Sequence, residues 1–264
     1  MLKTVEKSWN EFWAYYFRVV HRHRYEGIFK WDEQLIKFIE ETCNLSPPAR
    51  ILDLGCGGGD QARVFAAKGY QVLGIDVAPS LVEFAKNQFG KAGLKGEFVV
   101  GDMREIEYCS EFDLCTILSG TFGFFSDDEN QELLDSLCRA LVPGGKVFIM
   151  FIGPWYRSDR LKSWTETEDG WDLYESWYEA ETGTYRARSV LIRRDGSVIV
   201  PKPEPDYNAD ERIRCYTIPE MRSMLSLAGL KYLASYNSKE LSSPSKSQKD
   251  TWRRNIVVAE KPEE

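Results

Sequence analysis

The chain has 264 residues, 43% hydrophobic and 28% charged, enough to bury one large core with an appended subdomain. No apolar run approaches the roughly 20 residues that cross a bilayer, and Met1 to Lys7 form no apolar signal segment, so a cytoplasmic address without a membrane partner is expected. The formal net charge of −7 supplies no field toward phosphate backbones and counts against nucleic acid as a partner.

Residues 8–20 are crowded with Trp9, Phe12, Trp13, Tyr15, Tyr16 and Phe17 at spacings of three and four, which predicts an amphipathic helix. The basic cluster Arg18 to Arg24 reads as a solvated helix face. Its His21-x-His23 pair has no second group of ligands, so no metal is expected. A second helix is predicted over 32–42, ending before Pro47-Pro48.

From Ile51 to Met150 short apolar runs alternate with helical patterns, as in βαβ units around a parallel sheet. Strands are predicted at 50–54, 71–76, 97–101, 112–118 and 146–152, with helices near 61–68, 80–89 and 129–141. Ser80 and either Asp127 or Asp128 are the expected N-caps, and Pro143-Gly144-Gly145 the break before the last of these strands. After Gly153 the pattern changes to alternation at 174–178, 184–192, 197–200 and 212–217, with turn residues at Glu181-Thr182-Gly183 and Arg194-Asp195-Gly196. This predicts an antiparallel meander. Thr217, with Pro219 and Glu220 behind it, caps a helix to about Ala228, and Gly229 ends it. Strands near 230–236 and 255–259 close the chain; residues 242–247, rich in Ser, Pro and Lys, read as a loop. The six cysteines, at 43, 56, 109, 115, 138 and 215, form no C-x-x-C pair and are expected as small packing residues.

The most informative segment is Ile51-Leu52-Asp53-Leu54-Gly55-Cys56-Gly57-Gly58-Gly59-Asp60, an apolar strand ending in a glycine-rich turn that opens a helix. Gly57-x-Gly59-x-x-Ala62 matches a dinucleotide pattern, in which glycines let the backbone meet a pyrophosphate. Three neighbours point elsewhere. Asp53 could face a cationic amino-acid end. Asp76 ends the second strand, suited to the ribose of either cofactor and with little evident structural purpose. Asp102-Met103 follows the third strand, offering an acceptor and a flat apolar contact to an adenine.

The segments Leu52 to Gly59, Gly74-Ile75-Asp76-Val77-Ala78-Pro79-Ser80, Gly101-Asp102-Met103-Arg104 and Leu141 to Phe148 resemble the class I methyltransferases that depend on S-adenosylmethionine (SAM). The resemblance implies an α/β fold: a doubly wound, mostly parallel seven-stranded Rossmann-like sheet whose last strand is antiparallel, with SAM across the carboxyl strand ends. By position it implies cofactor contacts at Asp53, Gly55, Cys56, Gly57, Asp76, Val77, Asp102, Met103, Leu118 and Ser119. More loosely, Thr121 to Asp127, Arg193 to Gly196 and Tyr216 to Met221 resemble small-molecule methyltransferases with an inserted meander.

The expected organisation is an N-terminal helical lid at 1–48, a SAM-binding core at 49–153, an antiparallel insertion over the site at 154–216, and a return to the core at 217–264. The expected partner is a small-molecule acceptor, with methylation of RNA or a protein N-terminus, or a non-catalytic SAM-binding regulator, as alternatives. Tyr16, Phe122 and Trp171 are the expected pocket residues, with no evident catalytic base. Neither the methylated atom nor the oligomeric state follows from the sequence.

Overall fold

The computed structural model describes residues 3–16, 28–154, 160–203, 210–237 and 254–263. The basic cluster with His21 and His23, and the loop at 242–247, lie outside the described residues. The chain divides into two units, Met1–Ile28 with Pro154–Arg214, and Phe29–Gly153 with Cys215–Glu264. No described helix is long and apolar enough to cross a membrane.

The larger unit is built on strands β2 (Arg50–Leu54), β3 (Gln71–Asp76), β4 (Glu97–Val100), β5 (Phe112–Phe122), β6 (Leu141–Ile152), β12 (Lys231–Asn237) and β13 (Arg254–Glu260). They form one seven-stranded sheet in the order β12-β13-β6-β5-β2-β3-β4. The five strands from β6 to β4 run parallel; β13 is antiparallel to β6, and β12 to β13. This is the mostly parallel, doubly wound sheet expected from the alternating pattern. The near-continuous apolar runs of Ile51–Leu54 and Val147–Ile152 follow from burial on both faces.

Helices cover both faces. On one side α5 (Asp127–Ala140) and α6 (Ile218–Leu227) bury Leu133, Leu137, Met221 and Leu225. On the other, α2 (Ile28–Cys43), α3 (Asp60–Ala67) and α4 (Pro79–Ala92) bury Leu35, Ile39, Phe65, Val82 and Phe89. Helix α2, grouped with the lid at the sequence level, thus packs its apolar stripe into the larger unit. The chain runs β2, β3, β4 outward, then returns to place β5 on the other side of β2. The switch point is therefore the carboxyl end of the β2–β5 pair, where doubly wound sheets bind ligands.

Several helix starts differ from expectation. Helix α4 begins at Pro79, whose fixed φ and missing N–H suit a first turn, so Ala78 is the N-cap and Ser80 is already helical. Helix α5 is capped by Ser126 rather than Asp127 or Asp128. The Ser126 hydroxyl accepts from the Glu129 amide, and Glu129 reaches back to the Ser126 amide. That helix ends at Ala140, and Pro143-Gly144-Gly145 lies inside β6 instead of breaking the helix. The cap at Thr217 forms as expected, reciprocated by Glu220.

The smaller unit holds β1 (Thr4–Lys7), α1 (Trp9–Tyr16), β7 (Leu161–Thr167), β8 (Gly170–Glu179), β9 (Thr184–Arg193), β10 (Val198–Pro201) and β11 (Glu211–Arg214). Strands β7 to β10 form the antiparallel meander, β11 pairs with β9, and β1 adds to β10 in parallel. Neither β1 nor β7 was anticipated: Thr4–Lys7 is too short and Leu161–Thr167 too polar to register alone. One sheet face buries Tyr174, Tyr185, Ala187 and Leu191. The other carries Trp164, 67% exposed, and Trp177, whose ring lies under the Arg160 and Arg188 guanidinium groups at 4.7 and 5.2 Å.

Candidate active site

The glycine-rich turn leaves β2 at the switch point. Gly55, Gly57 and Gly59 have φ of 69°, 53° and 77°, in the left-handed region that only glycine adopts without strain. A Cβ on Gly55 would lie 2.7 Å from Thr121 Cγ2 and 3.4 Å from Met103 Cε, so this glycine is also required by crowding. A Cβ on Gly57 would meet nothing within 4 Å; the space above it is open.

The turn's own hydrogen bonds decide which ligand it suits. The amides of Gly55 and Cys56 donate to the Ile75 carbonyl, that of Gly57 to Asp76 Oδ2 at 2.9 Å, and that of Gly59 to the Cys56 carbonyl. A pyrophosphate needs such N–H groups as donors. Here four are already committed, which leaves the turn itself with fewer donors than the dinucleotide pattern would use.

Asp53 faces this turn from β2 and is 2% exposed. Its Oδ1 accepts from the Thr116 hydroxyl at 2.8 Å, across the β2–β5 register that pairs the two residues. Its Oδ2 is buried with no hydrogen-bond partner among the described residues. Burial pushes its carboxyl up to about 7, the Thr116 bond opposes this, and the nearby Asp76 charge adds to it. A buried acceptor left unsatisfied costs about 1–3 kcal/mol. A cationic donor is the chemistry that would relieve it.

Asp76 corrects an expectation. Far from lacking structural purpose, its carboxylate fastens two backbone amides, Gly57 on Oδ2 and Ala78 on Oδ1, both at 2.9 Å. It therefore ties the glycine turn to the start of α4, and each oxygen keeps a lone pair for a further donor. Burial pushes its carboxyl up and the two amide bonds oppose the shift. Val77, beside it, is an exposed apolar surface.

Asp102 caps a short 3-10 turn at 103–105, accepting from the Arg104 amide and lying flat against the Arg104 guanidinium, with Nη2 at 2.7 Å from Oδ2. Arg104 also donates to Glu129 at 2.6 Å, linking this turn to the cap of α5. An adenine amino group would thus share Asp102 with an arginine that sequence reasoning did not place there. Met103 lies near Gly55, its Cε 3.4 Å from where a Cβ on that glycine would stand.

At the end of β5, residues 118–121 bulge out of register with β6. Ser119 sits at φ 60° and is exposed, Leu118 is buried, and the Thr121 hydroxyl donates to the Leu118 carbonyl at 2.8 Å. Asp53, Gly55, Gly57, Asp76, Met103 and this bulge converge on one strand edge. Cys56 is buried with its thiol pushed far up by burial, which fits packing and excludes a thiolate nucleophile.

Of the expected pocket aromatics, only Phe122 belongs to the larger unit. Phe122 is fully buried in the core against Tyr216, because β5 continues past the bulge and turns that side chain inward. Tyr16 stacks on Tyr174, and Trp171 lies under the Arg194 guanidinium; all four belong to the smaller unit. Among the described residues no group of His, Cys, Asp and Glu could hold a metal.

Residues 51–145 match the family model described as a methyltransferase domain. The demethylmenaquinone methyltransferase of Thermus thermophilus is 34% identical over 110 residues, covering 40% of this chain and 49% of that protein. The chain spans about half the length of the curated relatives it matches. Among solved structures, a SAM-dependent methyltransferase from Clostridium acetobutylicum superposes with a TM-score of 0.72 at 17% identity, covering 97% of this chain and 99% of that one. A SAM-bound amino pentose methyltransferase from Micromonospora echinaspora gives 0.65 at 18% identity, covering 92% and 94%. The resemblance to class I SAM-dependent methyltransferases and the Rossmann-like fold are both borne out.

Proposed function

We propose, on the premise that residues 51–145 form a class I methyltransferase domain, that the protein transfers the methyl group of SAM to a small-molecule acceptor. The observation that carries the cofactor reading is Asp53 Oδ2, a buried acceptor without a donor among the described residues, beside a glycine turn with four of its amides committed internally. The unsatisfied carboxylate oxygen suits an ammonium. Asp53 would hold the amino-acid end of SAM, the open space above Gly57 its body, Asp76 and Val77 the ribose, Asp102 and Met103 the adenine, and Leu118 and Ser119 the methionine chain near the methyl.

When bound, SAM supplies a methyl on a sulfonium, which leaves as a neutral thioether without needing a proton. The chain's contribution is to orient the acceptor in line and to exclude water. This asks for no metal and no strong acid. The relatives' acceptors, demethylmenaquinone and an amino pentose by their names, are small molecules, and the net charge of −7 favours such an acceptor over nucleic acid. Work in the cytoplasm is part of the same proposal.

The test is thermal. SAM and its demethylated product are expected to raise the melting temperature by mass action, and NAD to leave it unchanged. A shift with NAD alone would overturn the cofactor reading. Labelled methyl from SAM appearing only in protein or RNA, and never in a small-molecule extract, would overturn the acceptor class.

A further inference from the structure

In the smaller unit the buried face of the sheet carries two carboxylates, Asp172, which accepts from the Ser189 hydroxyl, and Glu211. Glu211, on β11, is 6% exposed, and its carboxylate has no hydrogen bond or ion pair among the described residues. Its register partner is Ala187, which in turn pairs with Ser176, so all three share a face. Tyr174 and Tyr185 hydrogen-bond to each other on that face and interact with Ser176 and with the Glu211 charge. Tyr16 of α1 stacks on Tyr174 with ring centroids 6.3 Å apart.

The contrast with the preceding residue is sharp. Asp210 is 3% exposed but is met by both Arg186, at 2.8 Å, and Arg188. Those arginines sit on the opposite face of β9, where side chains alternate, and cannot serve Glu211. Burying a carboxylate without a partner costs several kcal/mol, and burial alone pushes Glu211 up to about 7. A glutamine would fill the same volume without that cost. What the glutamate adds is a negative charge ringed by tyrosine, which is what a protonated amine on an organic body requires: a countercharge, hydroxyl acceptors and aromatic walls.

We propose that Glu211, with Tyr174 and Tyr185, forms a binding site for an amine-bearing small molecule within the smaller unit. The site is argued from the smaller unit by itself and does not depend on the function proposed above.

The experiment compares the full-length protein with Glu211→Gln, using methylammonium chloride as the probe and sodium chloride at equal ionic strength as the control. Methylammonium is expected to raise the melting temperature of the wild type beyond the sodium control, and to lose that effect in Glu211→Gln. The variant removes a buried charge at constant volume, so its own melting temperature, measured without probe, reports that it is folded. Tyr185→Phe should weaken the methylammonium shift while keeping the charge. An equal methylammonium shift in wild type and Glu211→Gln, or none in the wild type, overturns the proposal. The SAM-induced shift is read in the same proteins; its loss throughout would count against the methyltransferase reading and leave the amine result standing on its own.

Discussion

Asp53 shows how a single buried oxygen can bias both stability and binding. Together with Asp32, fully buried on α2 with Gln61 donating to its Oδ1 at 2.8 Å, and Glu211, it is a carboxyl that burial pushes up to about 7. Between about pH 4 and pH 7 these groups hold protons in the folded state and release them on unfolding. The ligand-free protein should therefore lose stability as pH rises through that window and level off above it, which urea titrations at successive pH values would record. A cation settling on Asp53 reverses the preference and expels its proton. SAM binding below pH 7 should release protons, giving a calorimetric heat that depends on the buffer's ionisation enthalpy; a heat independent of buffer would remove Asp53 as the ammonium partner. Asp76 is expected to act on both counts at once. Asp76→Ala loses two charge-assisted bonds to backbone amides, worth about 1.5–3 kcal/mol each at most. It should lower unfolding stability measurably and weaken SAM at least about tenfold by calorimetry. Unchanged affinity with lowered stability would leave Asp76 as a turn fastener only. The sequence placed both carboxylates at the strand ends but could not show Thr116 beneath one or two amides on the other, because those partners come from tertiary register.

Elements were legible where the period was long and the caps conventional. Strands β2 and β3 fall where predicted, since apolar runs between glycine and polar turns admit little else. Helix α6 is fixed at both ends by local chemistry, the Thr217–Glu220 box and Gly229. Starts drifted where two signals competed. Pro79 outranks Ser80 because its φ is preset, and Ser126 outranks Asp127 because Glu129 stands three residues after it. The β5 bulge was invisible, since nothing in Leu118-Ser119-Gly120-Thr121 announces a three-residue excess over β6. Replacing Ser126 by Ala should cost about 1 kcal/mol through the lost cap, seen as a lower denaturation midpoint. Because Glu129 also holds Arg104, and Arg104 holds Asp102, the same substitution reaches the adenine side of the proposed site only through Glu129. Its effect on SAM affinity should stay small beside that of Asp76→Ala.

At the scale of the whole molecule, the sequence conveyed a parallel core and an antiparallel insertion but misjudged which N-terminal residues join which. The first strand pairs in parallel with β10, and α1 buries Phe12, Trp13 and Tyr16 within the smaller unit, a partnership of residues nearly two hundred positions apart that no local pattern encodes. Helix α2 goes instead to the larger unit. This division has a consequence for folding. The seven-stranded sheet is complete within Phe29–Gly153 and Cys215–Glu264. The insertion leaves and re-enters at adjacent points, the Tyr216 amide donating to the Ile152 carbonyl at 3.1 Å. Closing so short a loop costs little entropy. A chain lacking residues 1–28, with Gly153 joined to Cys215 by a short Gly-Ser linker, should therefore fold as one cooperative unit. Both deletions are needed together, since removing the meander alone would leave β1 and the apolar face of α1 without their partners. Every proposed cofactor residue, from Asp53 to Ser119, lies in what remains, so SAM should still raise the melting temperature of the shortened protein. The methylammonium shift should be absent from the shortened protein, because Tyr174, Tyr185 and Glu211 have gone with the smaller unit. A shortened chain that unfolds without cooperativity in circular dichroism would show that the core depends on the smaller unit for its own folding.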